Sequence, residues 1–130
     1  MIQPSKANNQ DLEFPGAVPL ETLKSPPAVI AHRGASGTHP ENTEAAFAEA
    51  IRLGVESIEL DVHRSADGGL IVVHDGTVDR TSDGNGRVSE LATAQIRALD
   101  AGSWFDPSFA GQRFLHLDEA LVLIPDSVRL

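Results

Sequence analysis

Residues 28–62, AVIAHRGASGTHPENTEAAFAEAIRLGVESIELDV, contain the pattern from which the architecture follows. The run Ala28–Ala31 is short, apolar and soon followed by Gly34, as a buried parallel strand would be. A loop with Gly37 and Pro40 comes next. Asn42 is the expected N-cap of a helix over Thr43–Leu53. Phe47, Ala50 and Ile51 give that helix one apolar face. Gly54 is its expected stop, and Val55–Val62 reads as a second strand. Strand, helix and strand in this order are the mark of a parallel sheet.

Downstream, Asp67-Gly68 predicts a two-residue hairpin turn, with Leu70–Val73 as the returning strand. Residues 76–90 are rich in Gly, Asp and Ser and read as a loop. Ser89–Leu99 predicts a helix with Ser89 as its cap. Trp104, Phe105, Pro107 and Phe109 stand in an irregular frame over 101–113. Leu117–Ile124 predicts a further helix, and Ser127–Leu130 the beginning of a strand. Upstream, five of the eight prolines fall in residues 1–27, which read as an irregular N-terminal extension.

Composition narrows the function classes. The 130 residues carry 10 Lys+Arg against 19 Asp+Glu, a formal net charge of -9. With 41% hydrophobic and 22% charged residues, this is a globular composition, not a disordered chain, a collagen or a coiled coil. A pI of about 4.8 argues against nucleic acid or an anionic membrane as partner. No apolar run is long enough for stable membrane insertion. With no cysteine there is no disulfide framework, thiolate metal site or cysteine nucleophile. The first ten residues, MIQPSKANNQ, lack the apolar core of a secretory signal, and a cytoplasmic location is the expectation.

Glu59 and Asp61 are two apart, so a strand puts both carboxylates on one face. A hairpin closed by Asp67-Gly68 pairs Asp61 with His74, and Glu59, Asp61 and His74 then converge. A bulge at Gly69 would slip that register. A hard cation such as Mg²⁺ or Ca²⁺ would relieve the repulsion between the carboxylates. A solvated strand face explains the same alternation, and pattern alone favours it. His32 and Arg33 follow the first strand, where parallel α/β sheets bind ligands. That pair can supply an acid or base and an anion clamp, although a lone histidine is more often structural. The joint placement of two histidines, an arginine and two carboxylates shifts the balance toward a site.

At these residues the chain resembles the glycerophosphodiester phosphodiesterase family. The resemblance is carried by AHRGASGTHPENTEAAF (31–47), ESIELDVHRSADGGLIVVHD (56–75) and VDRTSDGNGRVSE (78–90), continued by GSWFDPSFAGQRF (102–114) and LDEAL (117–121). It covers about residues 28–130. It implies a TIM-type (β/α)₈ barrel, of which this chain is the N-terminal portion, with 76–113 as the family insertion. It implies metal-dependent cleavage of a small-molecule glycerophosphodiester to glycerol 3-phosphate and an alcohol, with the glycerol 2-hydroxyl as attacker and a cyclic intermediate. His32 and His74 correspond to the catalytic histidines and Arg33 to the phosphate-binding arginine. Glu59 and Asp61 correspond to two ligands of a divalent metal, Mg²⁺ or Ca²⁺. Glu41 corresponds to the glutamate close to the site, either orienting Arg33 or acting as an ordinary first-turn acid.

Two departures stand out. Leu115 and His116 replace the family's Pro-Thr pair, and His116 is a poorer helix cap than Thr. The family's third metal ligand, a glutamate on the next barrel strand, lies beyond Leu130, so a gene fragment is the expectation. The alternatives are a truncated inactive product and a related phospholipase-type barrel. Of the latter, phosphoinositide-specific enzymes carry basic membrane-facing surface and the phospholipase D-like toxins carry disulfides, and this chain has neither. His39 and His63 have no expected role. Trp104, Phe105 and Phe109 are expected to pack the insertion, and Asp79, Arg80 and Asp83 to fix its loop through local pairs.

Overall fold

Strands β1 (Ile30–His32) and β2 (Ser57–Glu59) run parallel, with Ile30 opposite Ser57, Ala31 opposite Ile58 and His32 opposite Glu59. Helix α1 (Glu44–Arg52) is their crossover, which a parallel pair requires. The computed structural model describes residues 25 and 27–130, so the N-terminal extension, apart from Ser25 and Pro27, lies outside the described residues. The far edge of β2 has a third parallel neighbour. Ile58 N donates to Arg129 O at 2.8 Å, and Arg129 N donates to Glu56 O at 3.0 Å. Of the strand start expected at Ser127–Leu130, Arg129 alone is paired, as a single parallel bridge to Ser57, and residues 126–128 form a turn.

The N-cap of α1 is Thr43, one residue beyond the expected Asn42. Thr43 Oγ1 accepts from Ala46 N at 3.3 Å and donates to Pro40 O at 2.6 Å. Asn42 instead adopts a left-handed conformation (φ 57) that turns its amide away from the helix. Thr43→Ala should cost about 1–2 kcal/mol in urea unfolding, the value of a lost N-cap plus an unsatisfied buried carbonyl. An unchanged midpoint would show that this cap does not hold the helix.

The second strand is shorter than expected. It ends at Glu59, and the chain leaves the parallel sheet as an antiparallel hairpin of β3 (Val62–Arg64) and β4 (Leu70–Val72). The turn has three residues, Ala66 to Gly68, closed by Ser65 N donating to Gly69 O at 2.8 Å, with Gly68 at φ 90. A left-handed third residue is the usual ending of such a loop, and it moves the register by one. Val62 therefore faces Val72, and Val73 N donates to Asp61 O at 2.9 Å. The expected pairing of Asp61 with His74 does not form, because a one-residue slip exchanges the two faces.

That register gives β4 two packed faces. Val72 joins Phe47, Ala50, Ile58, Leu115, Ala120 and Ile124 in the core beneath α1 and α3 (Leu117–Leu123). Ile71 and Val73 point the other way, into a second core with Val78, Val88, Ile96, Ala101 and Phe114. Segment 76–113 is thus a packed unit, not a loose excursion. The helix expected over Ser89–Leu99 is broken in two. A 3₁₀ turn, Val88–Glu90, precedes a short α2 (Thr93–Arg97), and Ser89 caps neither. The cap comes from the hairpin turn. Asp67 Oδ1 accepts from Thr93 N at 3.0 Å and Thr93 Oγ1 at 2.7 Å, and also from Ser65 Oγ at 2.7 Å. The Ser65 and then the Thr93 hydrogen bonds hold the Asp67 carboxyl well below the usual range.

Helix α3 forms as expected. His116 is its N-cap, and Glu119 Oε2 closes the capping box by accepting from His116 N at 2.9 Å. Two amides, Leu70 N at 3.3 Å and Asp118 N at 3.4 Å, approach the two nitrogens of the His116 ring. A neutral ring can accept only one, so Glu119 supplies the firmer half of the cap. No described helix is long and apolar enough to cross a membrane.

Candidate active site

Arg33 leaves the carboxyl end of β1 in a left-handed conformation (φ 59), rare for a residue with a side chain. Two backbone bonds hold it there. Arg33 N donates to Glu59 O at 2.8 Å, and Asn42 N donates to Arg33 O at 3.0 Å. Strain of this sort costs on the order of 1–3 kcal/mol and persists where the surroundings enforce it. It directs the guanidinium between two acids. Arg33 Nη1 donates to Glu41 Oε1 at 3.2 Å, and Arg33 Nε lies 3.3 Å from Asp61 Oδ2. The displaced Asn42 completes this side, its Nδ2 donating to Asp61 Oδ2 at 3.2 Å.

Glu41 is held from its other side by Arg80. Arg80 Nη1 donates to Glu41 Oε2 at 3.0 Å and Nη2 to Oε1 at 2.7 Å. The same guanidinium reaches Asp75, with Nε donating to Oδ2 at 2.9 Å and Nη2 to Oδ1 at 3.0 Å. Asp75 Oδ1 lies 2.7 Å from His74 Nδ1. Asp61, Arg33, Glu41, Arg80, Asp75 and His74 thus form one unbroken chain of polar contacts. A carboxylate at Nδ1 favours the neutral tautomer with its proton there, leaving Nε2 to take up a proton. His32 stands beside Glu59, Nε2 to Oε2 3.7 Å, with 65% of its side chain exposed.

Burial opposes charge on Glu41, but the hydrogen bond and charge of Arg80, and then the charge and hydrogen bond of Arg33, outweigh it and hold the carboxyl below its ordinary value. Hydrogen bonds from Arg80 and then His74 hold Asp75 well below the carboxylate range. Arg80 is correspondingly raised, by Glu41 and then by Asp75. Depressed carboxyls contribute stability above their unfolded values, near 4.5 for Glu and 3.8 for Asp, and lose it as pH falls through the lower folded values. The thermal midpoint should therefore hold down to about pH 5 and decline below about pH 4.5. An Arg80→Gln variant should show a shallower acid decline. An equal decline in both would mean that the network does not carry the acid sensitivity.

The structure therefore joins Arg33, Glu41 and Asp61 directly, connects His74 to them through Asp75 and Arg80, and sets His32 against Glu59. The expected convergence of Glu59, Asp61 and His74 is not formed by cross-strand pairing. Among the described residues no three His, Asp or Glu side chains gather as a metal cluster. Three residues of the network were outside the expected set: Asn42, Asp75 and Arg80. Asp75 had a signal in its adjacency to His74. Arg80 was expected to pair locally, but its main partner, Glu41, is 39 residues away. Its guanidinium also sits over Trp104, 6.0 Å from the ring centroid, so Trp104 backs the network as well as packing the insertion. His39 stacks against Phe109 at 5.1 Å, away from these groups.

Three buried polar side-chain atoms among the described residues have no hydrogen-bond partner: Arg33 Nε, Asn42 Oδ1 and Glu59 Oε2. All belong to this one cluster. Its charges are also unbalanced, with Arg33 and Arg80 against Glu41, Glu59, Asp61 and Asp75. Two excess negative charges and a shielded, unpaired carboxylate oxygen suit a hard divalent cation.

Parallel strands, a helical crossover and charged groups at the carboxyl ends of the strands are the features of an α/β protein of the kind that binds ligands at its strand ends. The Glycerophosphoryl diester phosphodiesterase family matches over residues 32–128, and this chain belongs to that family. A glycerophosphodiester phosphodiesterase of Caldanaerobacter subterraneus is 52% identical over 98 residues, covering 75% of this chain and 40% of the relative. The crystal structure of a glycerophosphodiester phosphodiesterase from Agrobacterium tumefaciens superposes with a TM-score of 0.71 at 48% identity, over 72% of this chain and 41% of that one. A phosphodiesterase of Oleispira antarctica, solved with the product sn-glycerol-3-phosphate, superposes with a TM-score of 0.75 at 40% identity, over 78% and 41%. The chain thus spans about two fifths of the length of these relatives, and its fold corresponds to the N-terminal portion of their barrel.

Proposed function

We propose that this protein hydrolyses glycerophosphodiesters to glycerol 3-phosphate and an alcohol, with residues 28–130 as the N-terminal portion of the catalytic domain and 76–113 as its insertion. The observation that carries this reading is that the three buried polar side-chain atoms without a hydrogen bond among the described residues, Arg33 Nε, Asn42 Oδ1 and Glu59 Oε2, all lie around the strand ends. Arg33 binds the non-bridging phosphate oxygens, held in place by Glu41 and Asp61. Its shielded guanidinium is stronger there than it would be in water. Arg80 fixes Glu41 and Asp75 together and so sets the distance between the arginine and His74.

The substrate's glycerol 2-hydroxyl attacks phosphorus. One of His32 and His74 takes its proton, the other protonates the leaving alkoxide, and water then opens the cyclic diester. Glu59 and Asp61 would hold a divalent cation, Mg²⁺ or Ca²⁺, which when bound withdraws charge from the phosphoryl oxygens. The small polar substrate and the acidic chain fit a cytoplasmic enzyme.

The test is to incubate the protein with glycerophosphoglycerol and measure glycerol 3-phosphate, with a divalent cation and with chelator. Release that chelation abolishes supports the reading. No release with Mg²⁺ or Ca²⁺ present would sink the catalytic claim for this chain. In the same preparation, cation at a hundredfold excess over its Kd should stabilise the fold by about 2.7 kcal/mol. Glu59→Gln should remove most of that thermal shift.

A further inference from the structure

A second polar hollow lies at the hairpin, and none of its lining residues belongs to the network above. It encloses about 270 Å³ and is lined by His63, Arg64, Gly76, Thr77, Arg87 and Ser89. Two arginines, a histidine, a threonine and a serine line it, and no Asp or Glu does. In a chain of net charge -9 that is an unusual concentration of donors.

The arginines are unusual in another way. Among the described residues, Arg33, Arg52, Arg80, Arg97 and Arg129 each form an ion pair with an Asp or Glu. Arg113 donates to the carbonyl of Leu99. Arg64 and Arg87 make neither kind of contact, and both line this hollow, the Arg64 guanidinium lying beside Gly68 of the hairpin turn. The backbone holds the walls in place. Thr77 and Arg87 form an antiparallel bridge, and Val88 N donates to Gly76 O at 2.9 Å. Asp67 fixes the hairpin that carries Arg64, and the buried Val88 anchors the turn that carries Arg87 and Ser89.

The hollow also borders the candidate active site. His63, in its wall, bonds through Nε2 to the carbonyl of His74 at 2.8 Å. Gly76 and Thr77 follow His74 by two and three residues.

We propose that the Arg64–Arg87 hollow is an anion subsite that binds a phosphate monoester. On the phosphodiesterase reading, on which this identification of its source rests, the monoester belongs to the substrate's own head group, a phosphorylated alcohol. Planar guanidinium forks match the geometry of a phosphate's oxygens, and Thr77 and Ser89 add hydroxyl donors. Two positive charges suit a dianionic monoester better than the singly charged diester.

The test compares the affinity of the protein for glycerophosphoglycerol and for the same diester bearing a phosphate on its second glycerol. Calorimetry is run with inorganic phosphate as a third probe. The wild-type protein should bind the phosphorylated diester at least tenfold more tightly. Arg64→Gln/Arg87→Gln should abolish that preference while leaving affinity for the plain diester unchanged. Both residues are exposed, so the thermal midpoint of the double variant should stay at the wild-type value. Arg64→Lys/Arg87→Lys should keep part of the preference. No preference in the wild-type protein, or a preference that survives the glutamine pair, would overturn the proposal. If neither diester binds, but inorganic phosphate does and the glutamine pair abolishes it, the anion subsite stands with free phosphate as its source. In that event the phosphodiesterase reading is what fails.

Discussion

Replacing His74 with alanine is expected to lower the rate of glycerophosphodiester hydrolysis by about 10²–10⁴, the usual contribution of one positioned acid or base. The expectation rests on geometry. Asp75 fixes the Nδ1 side of the ring at 2.7 Å, and Arg80 fixes Asp75 in turn. The ring is thereby oriented with Nε2 available for proton transfer. Its side chain is 44% exposed, so the substitution should leave the thermal midpoint nearly unchanged. That separates lost chemistry from lost fold. Asp75→Asn would keep the shape but no longer select the tautomer, so it should also lower the rate, and by losing the Arg80 ion pair it should lower the thermal midpoint at neutral pH as well. A His74→Ala protein that turns over at the parent rate would remove His74 from the mechanism.

Gly34→Ala is expected to destabilise the fold strongly. A Cβ at Gly34 would lie 2.7 Å from the Ala46 carbonyl carbon and 2.8 Å from both Ala46 Cβ and Ala46 O. These atoms belong to the first turn of α1, which cannot move without moving its cap, Thr43. Gly34 also sits at φ 80, where a Cβ is itself strained. Overpacking costs about 1–3 kcal/mol and a strained left-handed residue about 1–3 kcal/mol, so the sum is roughly 2–6 kcal/mol. That is a large part of the stability of an ordinary domain, about 5–15 kcal/mol. Urea unfolding followed by circular dichroism measures it directly. A midpoint within error of the parent would mean that β1 and α1 are not packed this closely. The close approach has a function too, because it holds Arg33, the neighbour of Gly34, against Glu41 and Asp61.

Much of the architecture was legible in the chain because it depends on short-range patterns. Phe47, Ala50 and Ile51 announce an amphipathic helix, and Gly54 announces its end with a left-handed turn that glycine adopts readily. The apolar run before His32 and the run through Ile58 announce strands buried in a parallel sheet. His32, Arg33, Glu59 and Asp61 were recognisable as site candidates because each falls at, or just past, the end of such a strand. The readings that failed were decisions among near-equivalent local options. Asn42 and Thr43 are both good caps, and the choice went to Thr43 because the left-handed turn at Asn42 directs its amide to Asp61. Asp67-Gly68 serves a two-residue turn or the end of a three-residue one, and the packing of Ile71 and Val73 on one side of β4 and Val72 on the other fits only the latter.

By itself, then, the amino-acid sequence determined the strand–helix–strand unit, the extents of α1 and α3 to within a residue or two, and the candidate side chains at the strand ends. These follow from hydrophobic period, capping residues and glycine, all of which act within a few positions of one another. Only the tertiary structure decided how the side chains are joined. Arg80 reaches Glu41 across 39 residues, Asp67 caps a helix 26 residues ahead, and β4 divides two cores. Such contacts leave no period in the chain, because their partners are selected by which surfaces the fold brings together and by the cost of burying a charge without its counterpart.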